Sequence, residues 1–203
     1  SEQLKTLETD YYEQVAKKRL SSKMGGFNYG LEQYDTDNVK ELDFQFQRNS
    51  QNIKSYGNLI QNASNPEAKQ KMKQMAIDAF GKEISSLSSS ELGLEDKMKQ
   101  MKINMSSIDK MKSEGIVTNE QAQNLKKSNV RAATSQASAK ELRDNRTTLE
   151  SSAGSNPNII IEAFKDKWLE EESQHGDVAQ RSSRLSSYML ERGVQTKQGA
   201  KEY

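Results

Sequence analysis

The strongest constraint on the fold is a run of residues between positions 39 and 60 that recurs at alternating intervals of three and four. This run, the 39–60 seam, consists of Val39, Leu42, Phe46, Asn49, Ile53, Tyr56 and Ile60. A repeat of this kind places its members on one face of an α-helix and is typical of a coiled coil. Asn49 is the polar member, and a polar residue at such a position fixes register or partner number. The pattern therefore predicts a long helix whose seam packs against another helix, in the same chain or in a partner.

Start and stop signals divide the rest of the chain into further helices. A first helix, expected to run to about Met24, is predicted by the apolar stripe Leu4, Leu7, Tyr11 and Val15. Further helix starts are predicted at Asn65-Pro66, at Ser88 with Glu91, at Thr118 with Gln121, and at Asn156-Pro157. Gly81 is a candidate break, and the helix that starts after Thr118 is expected to reach about Glu150.

The composition favours helices over sheets. Only 33% of the residues are hydrophobic, the chain has two prolines, and no segment shows a convincing alternation of period two. We predict an all-α fold, an elongated helical bundle with coiled-coil-like seams and about six helices joined by short Gly, Ser or Asn-Pro turns. The expected division is a bundle over residues 1–150 and a C-terminal helical segment with a frayed tail over residues 151–203, unless the two form one continuous domain.

Several kinds of active site are excluded by residue counts. The chain has no cysteine and a single histidine, His175, which rules out disulfides, thiolate nucleophiles, Cys-ligated zinc and His-based triads. Neither an EF-hand loop nor a phosphate-binding Gly-rich loop is present in the sequence. We therefore expect no enzyme activity, no cofactor and no metal site.

The charges balance, so any site for a polyanion must be local. Thirty Lys and Arg residues against 29 Asp and Glu residues give a formal net charge of +1. A local excess occurs in a basic stripe over residues 126–146, formed by Lys126, Lys127, Arg131, Lys140, Arg143 and Arg146. Aromatic residues that would stack on bases are not interleaved with it. Nucleic-acid binding through this stripe is therefore an alternative that we do not favour.

Membrane insertion is not expected. The strongest apolar run is Ile159-Ile160-Ile161, which is far too short to cross a bilayer. We expect a soluble chain, cytoplasmic or associated with a virion or another assembly, and a targeting peptide removed before Ser1 is not excluded.

Three groups of residues are candidate partner-binding surfaces. The first is the 39–60 seam. The second is the bulkiest apolar edge of the chain, formed by Ile160, Phe164 and Trp168 at intervals of four, and the third is an aromatic turn with Phe27 and Tyr29. Six of the eight methionines fall within 40 residues. Because methionine side chains are flexible, such a cluster is typical either of a hydrophobic core or of a surface that adapts to a partner.

A thin core, long seams and no catalytic constellation favour a protein that works through its surfaces. The leading hypothesis is a non-enzymatic structural or assembly subunit of a larger complex, such as a virion-internal or secretion-apparatus component, in a homo- or hetero-oligomer. The alternatives are a monomeric helical adaptor or inhibitor that binds a protein partner, and a nucleic-acid-associated protein.

Overall fold

The computed structural model describes residues 1–21 and 39–154, with the side chains of residues 39–43 and 139 left undescribed. These two ranges contain seven α-helices and no strand. The helices are α1 (Glu2–Ser21), α2 (Val39–Asn62), α3 (Pro66–Ser89), α4 (Leu94–Ser113), α5 (Asn119–Thr134), α6 (Ala139–Asp144) and α7 (Arg146–Ala153). The predicted all-α class is confirmed, whereas the predicted coiled-coil seams are not.

Helix α4 lies at the centre of the bundle. It packs against α2, α5 and α7, while α3 packs against α1, α5 and α2. Helices α2 and α4 run in the same direction, because Asn49 contacts Ser107 within α4, whereas Gly57, further along α2, approaches Glu114 just after the end of α4. One side of α4 buries Met98, Met101, Met105 and Ile108, and another buries Gln100, Asn104 and Ser107. A helix buried on several sides needs partners for its polar residues as well as for its apolar ones.

The core is rich in methionine. Helix α3 contributes Met72, Phe80, Ile84 and Leu87 to it, and α2 contributes Ile53, Tyr56 and Ile60. Met72, Met98, Met101, Met105 and Met111 are all buried, and Met75 is partly buried. Unbranched thioether side chains fill irregular gaps between helices, so here they serve as packing material in the interior of the bundle.

The predicted helix starts have mixed outcomes. Asn65 caps α3, because its side-chain oxygen accepts a hydrogen bond from the Ala68 N–H at 2.7 Å. Thr118 and Gln121 form the predicted capping box of α5. The predicted start at Ser88 is wrong, because α3 continues through Gly81 to Ser89 and the Ser88 hydroxyl donates to the Ser85 carbonyl at 2.7 Å.

The predicted helix from Thr118 to about Glu150 is also wrong. Helix α5 ends at Thr134, and a second capping box, formed by Ser138 and Glu141, begins α6. Serine and glutamate at this spacing satisfy backbone N–H groups that a continuous helix would bond internally, so the local sequence stabilises a new start.

Candidate partner-binding surface

Four residues of the 39–60 seam face the interior of the chain. The side chains of Ile53, Tyr56 and Ile60 join the core, and Asn49 is buried beside Ser107, to whose hydroxyl it donates at 3.4 Å. The Tyr56 hydroxyl donates to the Met72 carbonyl at 2.7 Å, and burial raises the pKa of this phenol. These four residues therefore pack within one chain, and a partner would reach them only if the bundle opened.

The start of the seam is more open. Phe46 is half-buried and lines a cleft of about 280 Å³ between α2 and α4. The other lining residues are Ser50, Ser106, Ser107, Asp109, Lys110 and Ser113. Val39 and Leu42 lie on α2, but their side chains are not described. Phe46 is thus the seam residue that the structure places at a surface depression.

The other two predicted surfaces lie outside the described residues. The apolar edge of Ile160, Phe164 and Trp168 follows residue 154, and the aromatic turn of Phe27 and Tyr29 falls between residues 21 and 39. His175 is also outside the described ranges.

Several polar side chains in the interior form hydrogen bonds with one another or with the backbone. The Asn104 amide donates to the Asn129 oxygen at 2.9 Å, and the Asn129 amide donates to the Met101 carbonyl at 2.9 Å. Near the start of α4, the ammonium of Lys97 donates to the Gln136 oxygen at 3.0 Å, and burial lowers the pKa of Lys97. These contacts fix the register of α4 against the segment from α5 onward, because a shift by one turn would leave buried amides unsatisfied.

Helix α1 is fastened by a polar clip at Glu8. The Glu8 carboxylate accepts hydrogen bonds from the Ser64 N–H at 2.6 Å, the Ser64 hydroxyl at 2.7 Å and the Asn65 amide at 2.7 Å. The hydrogen bonds from Ser64 and then from Asn65 hold the pKa of Glu8 below its usual range. The clip ties the first half of α1 to the turn between α2 and α3.

Further contacts set the rotation of α1 about its own axis. The Tyr12 hydroxyl donates to the Asn62 carbonyl at 3.0 Å, and the Arg19 guanidinium donates to the Ser55 carbonyl at 3.1 Å. Ala16 lies between these anchors and is fully buried, and Leu20, one turn further along α1, is partly buried. One face of α1 is therefore turned inward by anchors near its start, middle and end.

The opposite face carries an apolar stripe that is turned outward. Leu4 is 66% exposed, Leu7 is 65% exposed and Tyr11 is 64% exposed. We call these three residues the outward stripe. The ring of Tyr11 contacts that of Tyr12 edge-on, with centroids 5.3 Å apart. The sequence shows this stripe at intervals of three and four, but the same pattern also describes a buried face, so its exposure is a finding of the structure.

Another exposed aromatic side chain lies on α2. Phe44 is 52% exposed, and the guanidinium of Arg48 lies 5.7 Å from its ring centroid. A cation over the ring partly covers this side chain, as is common for a surface aromatic residue.

The basic stripe is divided among three helices. Lys126, Lys127 and Arg131 lie on α5, Lys140 and Arg143 lie on α6, and Arg146 begins α7. Lys126 also forms an ion pair with Asp109 of α4 at 2.6 Å. The alternative of nucleic-acid binding therefore loses the single helix face on which it was based.

Residues 1–21 and 39–154 hold no group of three or more His, Asp or Glu side chains placed to bind a metal ion. None of the described helices has the length and hydropathy needed to span a bilayer.

Comparisons with known proteins give no relative. The chain matches no protein-family model, and no curated protein or solved structure is significantly similar to it.

Proposed function

We propose that this protein is a non-enzymatic helical subunit of a larger assembly, that it acts through protein–protein contacts, and that the outward stripe of α1 is one of its contact surfaces. One observation carries the proposal. Leu4, Leu7 and Tyr11 are each about two thirds exposed, and they lie on one face of a helix whose rotation about its axis is set by hydrogen bonds.

Single exposed apolar residues are ordinary, but a row of them on one helix is not. Adjacent members of the outward stripe are three and four residues apart, so they lie next to each other along the helix. Contiguous apolar patches on soluble proteins mark sites where another surface binds, because covering them removes apolar area from water. Tyrosine also suits such a surface, since its hydroxyl can stay hydrated while its ring is covered.

The remainder of the bundle supports a structural role. The amides of Asn104 and Asn129 and the ammonium of Lys97 bond inside the bundle, where they hold helices in register. These groups stabilise one arrangement of the helices, and a defined arrangement is what a subunit needs to present a fixed surface.

Site-specific photo-cross-linking tests the proposal. A photoreactive phenylalanine analogue replaces Tyr11 in the full chain, which is expressed at its natural level in its native cells. We expect a cross-linked product of discrete mass that contains this chain and at least one further protein chain.

The matched control places the same analogue at Gln70, an exposed polar position on α3. It should give no discrete product. Equal products from the two positions, or none from Tyr11, would contradict a contact surface on α1. A product with one partner chain, in a complex no larger than that pair, would favour the adaptor alternative over a larger assembly.

A further inference from the structure

We propose that α1 is a detachable arm, which undocks from the bundle as a unit while α2 to α5 stay folded, and that the contacts of Glu8 are the clip that holds it. The inference rests on the proposed function and deepens it, because release would free a second face of the helix that carries the outward stripe.

The docked face of α1 buries little apolar surface. Ala16 is its one fully buried residue, and Tyr12 and Leu20 are only partly buried. By contrast, α3 buries Met72, Phe80, Ile84 and Leu87 as well as two alanines. Since burial of apolar area is the main stabilising contribution to helix packing, α1 is attached far more weakly than α3.

Polar contacts at the surface also attach α1. The carboxylate of Glu8 accepts hydrogen bonds from Ser64 and Asn65, and the remaining anchors join Tyr12 to the Asn62 carbonyl and Arg19 to the Ser55 carbonyl. All of these groups can bond to water instead when the helix leaves. Undocking therefore leaves few unsatisfied groups behind.

The ion pair of Glu13 with Lys71 adds a weaker contact. Its atoms are 3.9 Å apart, and both side chains are more than one third exposed. Exposed pairs of this kind contribute little to stability. Glu8 and Glu13 are therefore a matched pair on one helix, the first with three close donors and the second with one distant partner.

A released α1 would present two apolar faces. One is the outward stripe of Leu4, Leu7 and Tyr11, and the other is the docked face with Tyr12, Ala16 and Leu20. A helix with two such faces can be enclosed by a partner groove, whereas the docked helix offers only one of them. Release would thus enlarge the surface available for assembly.

Hydrogen exchange measured by mass spectrometry on the full chain tests the arm. We expect the amides of residues 2–21 to exchange together through an opening that leaves residues 66–89 protected, at least roughly a hundredfold faster than the slowest amides of α3. The variant Glu8→Ala should raise the exchange rate of α1 by roughly tenfold, with no change in α4.

Glu13→Ala is the control, because it makes the same change in helix propensity on the same helix. It should raise the exchange rate of α1 by less than about threefold. Any of three results would overturn the proposal that α1 is a detachable arm. These are protection of α1 equal to that of α3, equal effects of the two variants, and faster exchange in α4 along with α1.

The outcomes separate this inference from the proposed function. An α1 that stays docked while position 11 cross-links to another protein would overturn the arm and leave the contact surface standing. If instead α1 undocks and position 11 forms no cross-link, the contact surface is overturned and the arm is left standing.

Discussion

At the scale of single residues, polar groups in the interior decide which arrangement of helices is stable. Asn49 could be predicted from the sequence as a polar residue within an apolar seam, and the structure places it there, next to Ser107. The identity of its partner could not be predicted, because the two residues are 58 positions apart and their contact depends on the packing of α2 against α4. The contact of Asn104 with Asn129, 25 positions away, likewise depends on the packing of α4 against α5.

The buried hydroxyl of Tyr56 provides a test at this scale. The variant Tyr56→Phe removes the donor to the Met72 carbonyl but keeps the ring, so we expect the free energy of unfolding to fall by about 1 kcal/mol. Chemical denaturation of the two proteins measures the difference.

Tyr12→Phe is the control, since it removes an exposed hydroxyl that donates to the Asn62 carbonyl. It should cost less than about half as much, because water replaces that hydrogen bond. Equal losses in the two variants would mean that the Tyr56 hydroxyl is not buried as described.

At the scale of helices, start signals were predictable where side chain and backbone interact locally. The caps at Asn65 and Thr118 depend on residues no more than three positions away, and both are present. The break between α5 and α6 was missed, although Ser138 and Glu141 have the spacing of a capping box. The exposed orientation of the stripe on α1 could not be predicted, because it depends on anchors in α2 and in the turn that follows it.

The two glycines inside long helices should respond differently to alanine. A methyl group at Gly81 would meet no atom within 4 Å, so Gly81→Ala should stabilise the protein by about 1 kcal/mol. A methyl group at Gly57 would lie 3.2 Å from the Cβ of Glu114, which offsets part of the same gain in helix propensity.

Thermal unfolding of the two variants compares these effects. The melting temperature should rise for Gly81→Ala and rise less, or fall, for Gly57→Ala. A larger rise for Gly57→Ala would contradict the close approach of α2 to the turn after α4.

The attachment of α1 should weaken in acid. Because the pKa of Glu8 in the folded chain is lowered from its ordinary value of 4.5, its contribution to docking is fully present above that value. It is lost as the pH falls through the lower pKa of the folded state. Amide chemical shifts of α1, followed by NMR from about pH 6 to about pH 3, should therefore change below about pH 4.5.

The variant Glu8→Ala isolates this effect. It should remove the part of the change in residues 2–21 that Glu8 causes, while shifts around Glu141, whose pKa is also lowered by hydrogen bonds from Ser138, should still change. An unaltered titration of α1 in Glu8→Ala would show that another carboxylate holds the helix.

At the scale of the whole molecule, the helical class follows from composition and periodicity, whereas the use of each face does not. The 39–60 seam and the stripe on α1 have the same spacing in the sequence. From Asn49 to Ile60 the seam is enclosed by the chain itself, whereas the outward stripe is left uncovered by the described residues. An apolar face becomes part of the core only if other helices pack against it. Which faces are covered in this way depends on the packing of all the helices together.

The outward stripe links this packing to assembly. If Leu7 contacts another protein, a charge at this position should separate the chain from its complex without unfolding it, because the side chain is 65% exposed. Substitutions at exposed positions usually change stability by less than about 0.5 kcal/mol. The loss of the complex would then report on binding alone.

The most direct test is the sedimentation of the chain in extracts of its native cells, compared for the natural sequence, Leu7→Glu, and Gln70→Glu as the control. The natural chain and the control should sediment well above the 22.9 kDa of one chain, and Leu7→Glu should sediment as a single folded chain. Identical sedimentation of Leu7→Glu and the natural chain would contradict a contact surface on α1.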